Sequence, residues 1–194
     1  MVQTRVLHNH IPAAAARNFV GRQMRDLPKE ERPDWVVMID NDMGVPLNLL
    51  ETVLGAPEDA SVVVPVMHMW DEGKMSTIVC WGMGEDVKEA ILQDKKFHPL
   101  TKAGTGVIFI KPEVFERIDL PYFWYPKNEL EGIEGTEDIA FCSKVLDAGM
   151  KIYGASHVLI SHFHNVNLAV VAHAFAKIKA EAESRQLEAI ASPA

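Results

Sequence analysis

The sequence predicts an α/β fold, a mixed sheet flanked by helices, and three observations predict it. Apolar runs without polar alternation recur at 35–39, 61–66 and 104–110, the pattern of strands buried on both faces. Segments with helical spacing of apolar residues lie between them. The first run, Trp35-Val36-Val37-Met38-Ile39, feeds directly into Asp40-Asn41-Asp42. In an open α/β sheet, ligands bind in the crevice beyond the carboxyl ends of the strands.

The 194 residues suit one domain spanning 1–194, with a core that needs no staples. A hydrophobic content of 48% and a charged content of 24% are those of an ordinary globular chain. The formal net charge of -8 argues against a broad basic face that grips nucleic acid. Cys80 and Cys142 are too few for a disulfide framework, and no CxxC pair points to zinc. No apolar run of transmembrane length and no signal peptide is visible, which predicts a cytoplasmic protein.

In chain order, Val2–Leu7 reads as a strand. A helix of strong formers then begins at Pro12 or Ala13, since proline is favoured in a first turn. Arg17 lies on it, either as a phosphate ligand facing the crevice or as a solvated helix residue. His8 and His10 rank low as metal ligands. Residues 28–34 form a charged, proline-bounded loop before the 35–39 strand. Asp40 and Asp42 could share one hard divalent cation such as Mg²⁺ or Mn²⁺; an Asp/Asn turn without metal is the plainer alternative. Pro46 is read as opening a helix with Leu49, Leu50, Val53 and Leu54 on one face, ended by Gly55 and Pro57. Asp40, Asp42 and Glu51 also match positions 1, 3 and 12 of a calcium loop, but Val45 stands where that loop needs glycine.

Residues 61–66 form a second buried strand, and His68 to Trp81 a loop or irregular hairpin. Val87 to Leu92 could be an edge strand. Gly104-Thr105-Gly106 leads the strand through Ile110 and permits close approach of a ligand to the backbone, or simply makes a turn or bulge. A short helix follows Lys111-Pro112. The aromatic, glycine-containing loop 119–136 has the length of a functional lid. Thr136-Glu137-Asp138 opens a helix ending at Gly149, whose first-turn acids complement the helix dipole without any catalysis. Strand-like runs then lead into Ser161-His162-Phe163-His164, and an alanine-rich helix closes the chain from about 168 to 191.

The order of these features resembles the GT-A glycosyltransferases, particularly the small family-2-like enzymes. The residues that carry the resemblance are Ala16-Arg17-Asn18, Ile39-Asp40-Asn41-Asp42, Gly104-Thr105-Gly106, Glu137-Asp138-Ile139-Ala140-Phe141-Cys142, Gly149 and Val158-Leu159-Ile160-Ser161-His162, over roughly residues 5–165. The resemblance implies a GT-A, Rossmann-like mixed sheet and a metal-dependent transfer of sugar from a nucleotide-diphosphate sugar. By the same resemblance Asp42 holds Mn²⁺ or Mg²⁺, Asp40 approaches the ribose or the metal, and His162 is a further ligand with His164 as second choice. Arg17 assists the phosphates, Asp138 is the general base, and Glu137 contacts donor sugar or acceptor. Gly104, Thr105, Gly106 and Trp124 shape the sugar pocket. The acceptor, whether glycan, lipid, protein or modified nucleobase, is not named by these residues. Family members open with another strand and helix that carry much of the nucleotide-base site, whereas Met1 here falls on what corresponds to their second strand. A minimal enzyme, a truncated one, and one completed by another subunit as a homo-oligomer all accord with that. Three other functions remain: a degenerate GT-A domain that binds a sugar or partner without turnover, a nucleotidyltransferase, and a phosphatase with an aspartate nucleophile.

Overall fold

The computed structural model describes residues 12–71, 76–81, 96–128, 132–133, 135–163, 173 and 175–184. The strand expected at Val2–Leu7, the edge strand expected at 87–92, and His8, His10 and His164 lie outside the described residues.

Helix α1 spans Ala13–Asp26 with Pro12 as its N-cap. Its start is where the proline and the alanine run place it. Ala14, Arg17 and Gly21 are its buried residues, one stripe at i, i+3 and i+7. Strand β1 is Val36–Ile39, and the short β2 is Met43–Gly44. β3 runs Ala60–Asp71 and forms a hairpin with β4, Ser76–Cys80. β5 is Phe97–Leu100 and β6 is Val107–Ile110. The short α2 is Val114–Arg117, and β7 (Lys127–Asn128) pairs with β8 (Gly132–Ile133) in a small ribbon within the loop expected at 119–136. Helix α3, Glu137–Asp147, is capped by Thr136, whose Oγ1 accepts from the Ile139 amide. β9 is one long strand, Lys151–His162. Residues 175–184 are helical, inside the expected closing helix. No helix among the described residues is long and apolar enough to cross a membrane.

The architecture is mixed α/β. Among the described residues the main sheet has seven strands, ordered β1-β6-β3-β9-β2, with β4 added on β3 and β5 on β9. Only β3 and β9 run parallel among the described pairings. β6 is buried along its whole length: Ile108 and Ile110 join Val62, Val64, Phe115, Tyr122, Phe141 and Val145 on the helix side, while Val107 and Phe109 join Leu49, Val63, Met67 and Ile160 on the other. Strand period two puts alternate residues on opposite faces, so a continuous apolar run is what a two-faced core requires.

Two expectations are corrected here. The 35–39 run was expected to be buried on both faces of a parallel sheet, yet β1 pairs antiparallel with β6 and lies at the end of the strand order. Its burial alternates, with Val37 40% and Ile39 43% exposed. Apolar composition records neither strand direction nor what covers each face. The helix expected after Pro46 is a 3₁₀ turn, Leu49–Thr52, and covers the sheet face opposite α1, α2 and α3. Its buried residues Leu49 and Thr52 are three apart, the 3₁₀ repeat. Leu50 and Leu54 stay exposed. Gly55, at φ 75°, ends the segment ahead of Pro57.

The fit of α1 against the core is tight at Gly21, where an added Cβ would come within 2.6 Å of the Tyr122 ring and 2.8 Å of the Phe115 ring. Gly→Ala in an exposed helix interior gains about 1 kcal/mol, but overpacking a filled core costs about 1–3 kcal/mol. Both rings are fully buried, so the second effect wins. Gly21→Ala is expected to lower stability by about 1–2 kcal/mol in urea titration; a gain would show that α1 can lift off the rings.

Candidate functional site

Arg17 gathers the site. Its guanidinium is 5% exposed and meets carboxylates from two distant segments. Nη2 donates to both oxygens of Asp40 at 2.8 Å and to the Thr105 carbonyl at 3.2 Å. Nη1 donates to Glu137 Oε1 at 3.0 Å and to Asp138 Oδ1 at 3.4 Å. Nε is buried with no hydrogen-bond partner among the described residues. The expected phosphate role of Arg17 does not fit this arrangement, because both terminal nitrogens are spent on the protein's own acceptors. It is also not a solvated helix residue. The signal was present in the sequence: Arg17 falls on the Ala14–Gly21 stripe that α1 buries.

The backbone around the carboxylates explains their placement. The Asp40 amide donates to the Gly106 carbonyl at 2.8 Å, extending the β1–β6 pairing by one residue. The Gly104 amide donates to the Trp81 carbonyl at 2.7 Å. A Cβ at Gly106 would overlap Met43 Cε, so the flexible end of the Met43 side chain packs where a side chain at 106 would start. Gly104, Thr105 and Gly106 are all buried. Thr105 Oγ1 donates to Asp138 Oδ1, and the Thr105 amide donates to Oδ2 at 3.3 Å.

Asp138 and Glu137 occupy the first turn of α3, where the dipole favours anions. Burial pushes the Asp138 carboxyl above the ordinary aspartate value; the Thr105 hydrogen bond and the Arg17 charge pull the other way, and Glu137 adds to the rise. Asp40 is likewise raised, first by burial, with Arg17 opposing and Asp42 and Asp138 adding.

The second grouping lies where β2 pairs with the end of β9. Met43 faces His162 in that pairing, and the Phe163 amide donates to the Asp42 carbonyl at 2.8 Å. The result brings Asp42 Oδ2 within 3.3 Å of His162 Nε2, across 120 positions of sequence. Asp42 is half-exposed. A carboxylate–imidazole pair is a donor set that manganese accepts, with remaining positions open to water or phosphate oxygen. Asp40 is held on both oxygens by Arg17. Among the described residues, no group of three or more His, Cys, Asp or Glu is arranged to hold a metal.

Trp124 stacks over Lys144 Nζ at 4.5 Å, two turns along α3 from Glu137, about 10 Å away, so the sugar-pocket role expected for it has no support in its contacts. Asn18 and Tyr125 were not singled out as site residues by the sequence. Asn18 Nδ2 donates to the Phe123 carbonyl at 2.7 Å and its Oδ1 accepts from the Phe123 amide at 3.0 Å. Phe123 stacks on Phe141 at 4.3 Å and lies 5.6 Å from Arg17 Cζ. The first part of the expected lid is therefore core, with Tyr122 and Phe123 buried. Tyr125, further along, has its phenol raised by burial and then by the adjacent Glu137.

No family model matches this chain, and no curated protein matches it. Among solved structures 22 chains match. One is the "Crystal Structure of A197 from STIV", similar over 81% of this chain and 70% of that chain, at 18% identity and a TM-score of 0.52. That likeness bears on the α/β fold alone.

The ion cluster yields two expectations. Removing Arg17 leaves buried carboxylates uncompensated, so Arg17→Met should cost about 3 kcal/mol in urea titration; a neutral result would mean that the carboxylates are solvated. Because Asp138 and Asp40 have raised values in the fold, the native state binds more protons than the unfolded chain above the ordinary aspartate range. Their contribution to stability is present at low pH and lost as pH rises through that range. Asp138→Asn should therefore lose less stability than wild type between about pH 4 and about pH 7. An identical pH slope in the two proteins would contradict the burial assigned to Asp138.

Proposed function

We propose that this chain is a metal-dependent glycosyltransferase that takes a nucleotide-diphosphate sugar as donor. The observation that carries the reading is the meeting of Asp42 and His162 beside a buried cluster that ends in a basic carboxylate, Asp138. Both residues belong to the motifs that resemble family-2-like GT-A enzymes.

Charge supports the same reading. Asp40, Asp42, Glu137 and Asp138 bring four negative charges against the one positive charge of Arg17. Such a site repels a diphosphate unless a cation lies between them. Asp42 and His162 are the residues that would hold that cation, and when bound it would neutralise charge on the departing diphosphate as a Lewis acid. Arg17 orients the carboxylates rather than the phosphates. Asp138, raised by burial, is a stronger base than a solvated aspartate and suits removal of a proton from an acceptor hydroxyl. Glu137, on the same Arg17 nitrogen, borders that position.

Thermal melting against a panel of nucleotide-diphosphate sugars with and without Mn²⁺ tests the donor site, because a ligand that binds the native state raises Tm by mass action. The expected result is a rise that needs both components and is lost in Asp42→Ala and in His162→Ala. Asp138→Asn should keep the rise and lose transfer by about 10²–10⁴-fold. No rise with any donor would favour a domain that binds a partner without turnover.

A further inference from the structure

We infer that Thr105 is a positioning residue for Asp138, turning the carboxylate so that Oδ2 is the oxygen that takes the acceptor's proton. The inference rests on the transferase reading above. In that reaction the acceptor O–H bond breaks and its proton goes to Asp138 Oδ2. The acceptor oxygen forms a bond to the anomeric carbon. The bond from that carbon to the diphosphate oxygen breaks, and its electron pair leaves on the nucleoside diphosphate.

The assignment follows from counting donors. Each carboxylate oxygen offers about two lone-pair sites. Oδ1 of Asp138 accepts from the Thr105 hydroxyl and, at 3.4 Å, from Arg17 Nη1. Oδ2 accepts from the Thr105 amide at 3.3 Å, which leaves a lone pair for a substrate proton. One residue thus fixes both oxygens, one through its side chain and the other through its backbone.

Thr105 can do this because its own surroundings hold it in place. It is fully buried. Its carbonyl accepts from Arg17 Nη2, and its neighbours Gly104 and Gly106 are tied to Trp81 and Asp40 through their backbones. A hydroxyl that donates to a carboxylate stabilises the charged form and so reduces its basicity. Thr105 therefore trades some proton affinity at Asp138 for a fixed direction of attack, and orientation at the reacting atoms governs rate.

The test uses the full chain with Thr105→Val, Thr105→Ser and Thr105→Cys. Asp138 is followed by ¹³C titration of aspartate carboxyl signals and identified by its loss in Asp138→Asn. The Val variant should titrate Asp138 at higher pH than wild type, and Ser should restore the wild-type titration. If Val does not fold, Cys, a weak donor, should give the upward shift. In transfer assays Val should lower kcat by about tenfold with the donor KM unchanged and move the acid limb of the pH profile upward. Ser should recover most of that loss. An unmoved Asp138 titration in the Val or Cys variant, or a Ser variant as impaired as Val, overturns the role of Thr105. If the titrations behave as expected but wild type transfers sugar from no donor, the transferase reading fails and the assignment of Oδ2 as proton acceptor fails with it, while the Thr105–Asp138 clamp stands.

Discussion

A buried arginine imposes a condition that the rest of this molecule satisfies. Taking a guanidinium out of water costs several kcal/mol unless carboxylates and carbonyls surround it. Arg17 meets that demand with Asp40 at the end of β1, the Thr105 carbonyl ahead of β6, and Glu137 and Asp138 at the head of α3. The first helix, the first strand, the turn before β6 and the third helix are thereby fixed to one point. The same bonds fix the carboxylates to one another, so the cluster that holds the fold is also the cluster with a chemically useful member.

The two groupings at the end of the sheet rest on different forces. The inner one is ionic, centred on the buried Arg17, and set mostly by side chains. The outer one is set by backbone pairing: β2 lies along the end of β9, and Asp42 and His162 are carried together by that register. Gly44 allows the close approach, since a Cβ there would press on the Phe163 ring at 2.9 Å. Asp40 and Asp42 are one residue apart, yet they divide between the groupings: Asp40 turns in to Arg17, while Asp42 remains half-exposed beside His162. The proposed reaction needs this division, with a cation site open to a diphosphate next to a base kept out of bulk water.

Local chemistry was legible wherever a residue type has one strong backbone consequence. Proline at position 12 began a helix, threonine at 136 capped one, and glycine at 149, with φ 71°, ended one. The apolar runs at 61–66 and 104–110 marked strands, although the first extends to Asp71. Legibility failed where two structures share one pattern. Leu49, Leu50, Val53 and Leu54 fit a helical face, but the segment folds as a 3₁₀ turn that buries residues three apart. An apolar strand fits a parallel interior or an antiparallel end position, and β1 took the second.

By itself the sequence determined the α/β class, the main strands and helix starts, and a short set of polar residues worth watching, because these depend on periodicity and on single-residue backbone preferences. Tertiary structure decided how those residues divide the work. Whether Arg17 faced phosphate or carboxylate, whether Thr105 lined a pocket or held Asp138, and whether Asp42 found His162 depended on contacts between residues 23 to 121 positions apart. Such contacts are set by sheet register and helix packing, which no local pattern in the chain encodes.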